Sequence, residues 1–279
     1  MSTILITGAA GGIGTMLRTR LARPGRTLRL FDLAEITPNE GDGEAGGGSG
    51  GGGEETIQGS VTDLGTTIAA CEGVDAVIHL GGISGEAPWE QILEVNINGT
   101  YNVFEAARRA GVPRVVFASS NHAVGFHTPD EFPLKENVTA LPDTYYGVSK
   151  VAGEGLGALY AKRYGLDVIS IRILSCFPEP RSLRSLSTWF SPDDAGRLFE
   201  ACLTVEKPGY RVIYGVSPNT RGGWVSLEGA KELGYEPQDD AEEFLDKLTA
   251  KFGPLDPTDP VFSYLGGEFT LAKLDADNL

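Results

Sequence analysis

Tyr146-Gly147-Val148-Ser149-Lys150 sets a phenol and an amine four residues apart. On a helix, side chains at that spacing stand one above the other on a single face. A free phenol titrates near ~10, and bringing it to about 7 takes about 4 kcal/mol at roughly 1.36 kcal/mol per unit. One positive charge about 4 Å away supplies ~4 kcal/mol at an effective dielectric of ~20, before desolvation costs. The pair therefore suggests acid–base chemistry, with Tyr146 moving a proton and Lys150 as its electrostatic partner. Ser119-Ser120 ends a strand predicted over 114–119 (RVVFAS), and Ser120 can anchor a substrate oxygen there. Any surface helix can also carry Tyr and Lys four apart, so the spacing alone leaves both readings open.

A second constellation lies at the start of the chain. Thr7-Gly8-Ala9-Ala10-Gly11-Gly12-Ile13-Gly14 spaces Gly8, Gly11 and Gly14 three apart, between an apolar run (3–7, TILIT) and a helical pattern of Ile13, Leu17 and Leu21. Gly8 allows the tight turn, Gly11 lets the backbone approach a pyrophosphate, and Gly14 permits close helix–sheet packing. Free N–H groups and the helix dipole then face the anion. Asp32 closes the next strand (27–32, TLRLFD) and can accept from both ribose hydroxyls. Its charge would repel a 2′-phosphate, which favours NAD over NADP.

These residues need a scaffold. Further strands are expected at 75–80, 167–173 and 211–214, with helices at 88–110, 142–164, 192–205 and 239–251. The 88–110 helix would bury Ile92, Leu93, Val95, Val103, Phe104 and Ala107 together. Strands alternating with helices predict right-handed βαβ units: an α/β fold with a doubly wound parallel sheet of the Rossmann type. Residues 1–174 read as the dinucleotide-binding part. Residues 175–279 read as a small C-terminal substrate cap packed on it. The glycine-rich tract 41–55 (GDGEAGGGSGGGGEE) has no Lys-Ser/Thr ending and is flanked by carboxylates. It reads as a flexible surface insertion, not a phosphate loop.

Composition narrows the classes. The chain has 279 residues, 41% of them hydrophobic, which excludes disorder throughout. No apolar run approaches the roughly 18 residues of a membrane helix. The opening MSTILITGAAGG lacks the positive leader of a secretory signal. Three scattered cysteines (Cys71, Cys176, Cys202) fit a reducing cytoplasm and argue against disulfides and structural zinc. The formal charge of -15 opposes binding to nucleic acid and to anionic membranes, and serves solubility. A salt-rich habitat is the sharper alternative.

The glycine turn, Asp32, His79-Leu80-Gly81-Gly82, Asn96, Ser120 and the Tyr146/Lys150 pair together resemble the extended short-chain dehydrogenase/reductase superfamily. More specific strings, HLGGIS (79–84), FASSNH (117–122), YGVSK (146–150), SCFPEP (175–180) and LSTWFSPDD (186–194), resemble the uronate dehydrogenase family. That resemblance implies NAD-dependent oxidation at C1 of D-galacturonate or D-glucuronate to an aldarolactone, and a homo-oligomer. It implies Tyr146, Lys150, Ser120 and Asn96 as catalytic residues, with Asn96 holding a water beside the lysine. Cofactor contacts are implied for Gly8, Gly11, Gly12, Ile13, Gly14, Asp32, Leu33, Ser60, Val61, Leu80, Gly81, Gly82, Tyr146, Lys150, Ile173 and Cys176. Substrate contacts are implied for Ser84, Ser120, Asn121, His122, Tyr146, Ser175 and Arg184. No metal site is expected.

The chemistry of these side chains agrees. A sugar acid needs a fixed cation, and Arg184 can grip its carboxylate with two parallel hydrogen bonds. The donors at 120–122 suit a polyhydroxylated ring. The blander alternatives are a surface Arg184, a packed His122 and a locally bonded Asn96. Trp189 and Phe190 read as cap core. One departure stands out: Ser60 occupies the position where many extended members carry an Asp that holds adenine. Its hydroxyl, the Val61 backbone or Asp63 would have to substitute. A nucleotide-sugar epimerase or dehydratase on the same cofactor domain is the alternative function, and a non-catalytic NAD sensor a remoter one.

Overall fold

Ile4, Leu5 and Ile6 are consecutive and all buried, so both faces of their strand require apolar cover. The computed structural model describes residues 1–39 and 53–274. Its elements are β1 (Ser2–Thr7), α1 (Gly12–Leu21), β2 (Arg26–Asp32), β3 (Gly53–Gln58), α2 (Leu64–Cys71), β4 (Ala76–His79), α3 (Trp89–Gln91), α4 (Gly99–Ala110), β5 (Arg114–Ser120), α5 (Tyr145–Tyr164) and β6 (Asp167–Ile173). The second half adds β7 (Ser175–Cys176), α6 (Ser185–Thr188), β8 (Trp189–Phe190), α7 (Pro192–Thr204), β9 (Tyr210–Gly215), α8 (Glu228–Glu232) and α9 (Leu245–Phe252).

Seven strands form one sheet in the order β3-β2-β1-β4-β5-β6-β9, and every neighbouring pair is parallel. The winding reverses between β1 and β4, which opens a crevice at their carboxyl ends. On one face Ile4, Ile6, Leu28, Leu30, Val116 and Ile171 pack against Leu17 and Leu21 of α1 and Leu198 and Phe199 of α7. On the other, Leu5, Val77, Val115 and Phe117 pack against Ala70 of α2, Val103 and Phe104 of α4 and Tyr160 of α5. The alternation along each strand thus divides the core into two layers.

Helix α5 sits unusually close to the sheet. A Cβ on Gly153 would stand 2.3 Å from the Phe117 ring, so only glycine permits the approach. The Thr144 hydroxyl caps its start by accepting from the Gly147 N–H at 3.1 Å. This cap and the close packing fix Tyr146 in the first turn and Lys150 one turn later.

Three expectations are corrected. Residues 53–55 do not belong to a flexible insertion: Gly53 opens β3, and Glu54 pairs with Arg18 at 2.6 Å. The rest of the tract, 41–52, lies outside the described residues. The helix expected at 88–110 is interrupted by a π-helical segment, Ile92–Asn98, which shifts its faces. Ile92 is buried while Leu93 is 38% exposed. The helix expected over 239–251 is a 3₁₀ turn, Ala241–Phe244, followed by α9.

The chain after residue 174 does more than cover the sheet. β9 becomes its seventh strand, and α7 packs on α1. Trp189 and Phe190 are buried, with β7 and β8 paired in parallel. Pro178, Arg181, Arg184, Glu268 and Phe269 meet the residues at the carboxyl edge of the sheet around one opening.

Candidate active site

One cleft of about 1560 Å³ runs along that edge. It is lined by every residue singled out from the sequence for cofactor, catalysis or substrate, apart from Asn96 and the alternative adenine contact Asp63.

Its first half is the glycine turn. Gly8 has φ +70°, and a Cβ there would lie 2.7 Å from the Gly81 nitrogen, so the turns after β1 and β4 touch. The N-cap of α1, Gly11, offers no side-chain cap. By contrast Asp63, Thr144 and Ser191 cap α2, α5 and α7. The first-turn amides of α1 are therefore left to an anion, as a pyrophosphate would require. Asp32 accepts from the amides of Ala10 and Ala34, both at 3.0 Å, which pins its carboxylate beside the turn. Its spare lone pairs suit ribose hydroxyls. These residues fit NAD, which supplies a hydride acceptor when bound.

The adenine end differs from expectation in detail. Asp63 is committed to the α2 cap, accepting from the Thr66 N–H at 2.9 Å, and does not line the cleft. Ser60 does, with its hydroxyl bonded to that of Thr62 at 2.8 Å. Beneath the crevice, His79 Nδ1 meets the Thr7 hydroxyl at 2.8 Å and Nε2 the Thr100 hydroxyl at 3.1 Å. Thr7 Oγ1 also accepts from the Gly81 N–H. Burial, and then the Lys150 charge, push the His79 imidazole down to about 3, so it is a neutral strut.

At the centre, the Tyr146 phenol and the Ser120 hydroxyl line the cleft together. Lys150 Nζ lies 5.3 Å from the Tyr146 ring centroid and donates to the Ala118 carbonyl at 2.8 Å. Burial pushes Lys150 down to about 8. The lowering expected of Tyr146 calls on the positive nicotinamide as well as Lys150, and in the protein alone burial prevails. Burial pushes it up to about 12, the Ser120 hydroxyl opposes that, and the Asp143 charge adds to it. The phenol is nearly sealed from water, so its desolvation dominates while that second positive charge is absent.

Asn96 sits behind the cleft in the π segment. Its amide accepts from the Ile83 N–H at 2.7 Å and donates to the Ile83 carbonyl at 3.0 Å and to Ser149 at 3.2 Å. It braces the turn that carries Gly82 and Ser84.

Ser84, Asn121, His122, Ser175 and Arg184 converge on the far half. Ser175 shares a hydrogen bond with Thr188 at 2.9 Å. Asn121 donates to the Leu265 carbonyl at 3.3 Å, and the Arg184 guanidinium donates to the same oxygen. Arg184 makes no ion pair among the described residues, and its Nε is buried without a partner. Desolvation lowers it to about 10, against the charges of Glu268 and Asp143. A desolvated guanidinium with no ion pair in a cleft has the chemistry to receive a carboxylate.

Sequence reasoning missed several residues. Asp143 Oδ2 meets His122 Nδ1 at 2.7 Å, and the Asp143 side chain is wholly buried. Phe269 stacks on the His122 ring at 3.9 Å between centroids, and Glu268 lines the cleft beside it. Glu86 accepts from the Tyr146 N–H at 3.0 Å. None lies in a spaced motif. Only the fold brings 264–271 back over residues 120–146.

Comparison with known proteins follows the same lines. Residues 4–187 match the NAD dependent epimerase/dehydratase family. Over 95% of its length the chain is 44% identical to a uronate dehydrogenase of Pseudomonas syringae pv. tomato, of which it covers 92%. It is 42% identical to one from Pseudomonas putida, with 96% of each chain covered. A crystal structure of uronate dehydrogenase from Agrobacterium tumefaciens, a tyrosine-to-alanine mutant complexed with NAD, superposes with a TM-score of 0.88. The two chains are 42% identical, with 98% of each covered. The chain belongs to the NAD dependent epimerase/dehydratase family, on the branch formed by the uronate dehydrogenases.

Proposed function

We propose that this protein oxidises C1 of D-galacturonate and D-glucuronate to the aldarolactone, with NAD as hydride acceptor. The carrying observation is the geometry of one cleft: a phenol, hydroxyl and amine at its centre, and an unpaired guanidinium at its far end. A hemiacetal C1–OH is a good hydride donor because the product is a resonance-stabilised lactone. Tyr146 takes the C1 hydroxyl proton, Ser120 holds that oxygen, and Lys150 stabilises the phenolate. A phenol pushed up to about 12 in the free protein ionises only when further positive charge enters the site, which the oxidised nicotinamide provides. Arg184 holds the substrate carboxylate, Asn121, His122, Ser84 and Ser175 bind ring oxygens, and Cys176 and Ile173 flank the nicotinamide. This orientation brings the reacting atoms to about 3–3.5 Å. Residues 1–174 carry the cofactor half and 175–279 most of the substrate half. The same reading makes the protein a cytoplasmic homo-oligomer.

An NADH absorbance assay against galacturonate, glucuronate, galactose and glucose tests this. Turnover of both uronates, with little of the neutral sugars, is the expected result. Equal turnover of the neutral sugars removes the carboxylate from the reading. Epimerised sugar with no net NADH points to an epimerase.

A further inference from the structure

Asp143 is an expensive residue where it stands. Its side chain is fully buried, with no lysine or arginine paired to it among the described residues. Its charge also opposes ionisation of Tyr146, the group that must become a base. The Arg184 charge acts on it without a direct ion pair, and a buried carboxylate with no cation bonded to it costs several kcal/mol, on the order set by ion desolvation, unless hydrogen bonds compensate. The fold nevertheless makes room for it. A Cβ added to Gly125 or to Gly266 would stand 1.9 Å from Oδ2, and one added to Gly147 would stand 3.2 Å from Oδ1. Three separate segments thus omit a side chain around this carboxylate.

Its hydrogen bonds indicate the use. Oδ1 accepts from the Thr144 hydroxyl at 3.0 Å, in the residue that caps α5. Oδ2 faces His122 Nδ1 at 2.7 Å. An ionised carboxylate only accepts, so Nδ1 must carry the proton. In the neutral ring this leaves Nε2 as an acceptor. The plane of that ring is fixed as well: Phe269 stacks on it at 16° and the Tyr146 ring meets it edge-on at 5.7 Å. The His122 backbone N–H is held by Ser120 Oγ at 3.2 Å.

The geometry points to Asp143 as a positioning residue: it holds His122 in the Nδ1–H tautomer and presents Nε2 as the acceptor for a hydroxyl of the sugar ring. Asp143 touches neither substrate nor cofactor and acts through His122. This inference deepens the proposed function and rests on it for the identity of the sugar.

Three variants and one spectrum test it. Asp143→Asn keeps the shape and one acceptor oxygen without the charge. Asp143→Ala removes both. A charge-assisted bond is about twice as strong as a neutral one, so KM for galacturonate is expected to rise roughly threefold in D143N and roughly tenfold or more in D143A. KM for NAD stays unchanged, and kcat in D143N does not fall, because the His122 contact is equal in ground and transition states and loss of the Asp143 charge only eases ionisation of Tyr146. In a His122→Ala background, Asp143→Ala adds no further change in KM. Uronate KM values unchanged in both single variants, or an undiminished effect of D143A without His122, overturn the inference.

The spectroscopic arm is independent of turnover. The chain has three histidines, and His127 is marked by protonation at Nε2, which must donate to the Thr139 carbonyl at 2.8 Å, while its Nδ1 faces the Glu131 carboxylate at 2.9 Å. Long-range ¹H–¹⁵N correlation on the ¹⁵N-labelled full chain should show His122 protonated at Nδ1 and bare at Nε2. D143A should move it toward Nε2–H. A wild-type His122 already in the Nε2–H form overturns the assignment. Absence of NADH formation from uronates in the wild type would instead remove the functional reading and leave the tautomer result standing.

Discussion

The guanidinium of Arg184 and the carbonyl of Leu265 are joined by a hydrogen bond across 81 residues of chain. That bond ties the segment 264–271 to the floor of the cleft, yet a carbonyl neutralises no charge. The guanidinium stays desolvated and unpaired, stacked over Trp224 at 5.2 Å. On the proposed reading, its partner is the carboxylate of the substrate.

Replacing Arg184 with methionine should therefore act in two directions. Uronate kcat/KM should fall by roughly 100-fold or more, since losing one partner of a desolvated charge pair costs about 2–5 kcal/mol. Residual activity on neutral hexoses should be unaffected. The ligand-free protein should melt at the same or a higher temperature, because a buried unpaired charge is removed. Steady-state kinetics with both substrate classes and a thermal melt read the two effects. A parallel loss on galactose would reject the carboxylate role.

Tyr146→Phe should leave NAD affinity intact and lower kcat by roughly 100- to 10,000-fold, the range a positioned acid–base group contributes. Titration of intrinsic fluorescence with NAD, beside the NADH assay, separates binding from chemistry. Near-normal turnover in this variant would dismiss the phenol as base.

Lys150 carries a stability cost that function explains. Its amine is pushed from 10.5 down to about 8 by burial. Between those values the unfolded chain binds more protons than the folded one, so stability should rise with pH from about 8 to 10.5. Below pH 8 the full penalty, on the order of 3 kcal/mol at about 1.36 per unit, applies. Lys150→Met should thus raise the melting temperature of the cofactor-free protein at pH 7 while abolishing turnover. A lower melting temperature would mean that the bond to Ala118 outweighs the buried charge.

His79 has the opposite pH signature. Held neutral down to about 3 by burial, it contributes stability that is present above its unfolded value near 6.5 and is lost as pH falls toward 3. Each unit in that window removes about 1.4 kcal/mol. Denaturant melts at pH 6.5, 5 and 4 should decline less steeply in His79→Gln than in the wild type. Equal slopes would show that His79 does not control the acid limb.

Asp32→Ala should relax the preference for NAD. Removing the carboxylate removes repulsion of a 2′-phosphate and also frees the amides of Ala10 and Ala34. The ratio of kcat/KM for NAD to that for NADP should drop by roughly tenfold or more, mainly through weaker use of NAD. An unchanged ratio would relieve Asp32 of any part in discrimination.

Local chemistry was legible without coordinates wherever one short stretch holds the whole device. The glycine turn, the Asp32 strand end, and the Tyr146/Lys150 spacing each depend on a period of 2 or 3.6 and on φ > 0 at Gly8. The alternation of strands and helices likewise dictated a parallel sheet and its carboxyl-edge crevice. The inward Arg184 could be anticipated only through the resemblance of the surrounding strings to the uronate dehydrogenase family.

Tertiary structure alone decided the rest. The π segment at Ile92–Asn98 has no periodic signature, so the exposure of Leu93 and the bracing role of Asn96 surfaced only in three dimensions. Desolvation of Tyr146 depends on everything packed around it, and it outweighs the nearby lysine while no cofactor charge is present. The meeting of Asp143, His122 and Phe269 joins residues from three distant stretches. Spacing encodes what neighbours along the chain can do together. Burial, charge balance and contacts between distant segments belong to the packed molecule, because each is set by groups whose proximity exists only after folding.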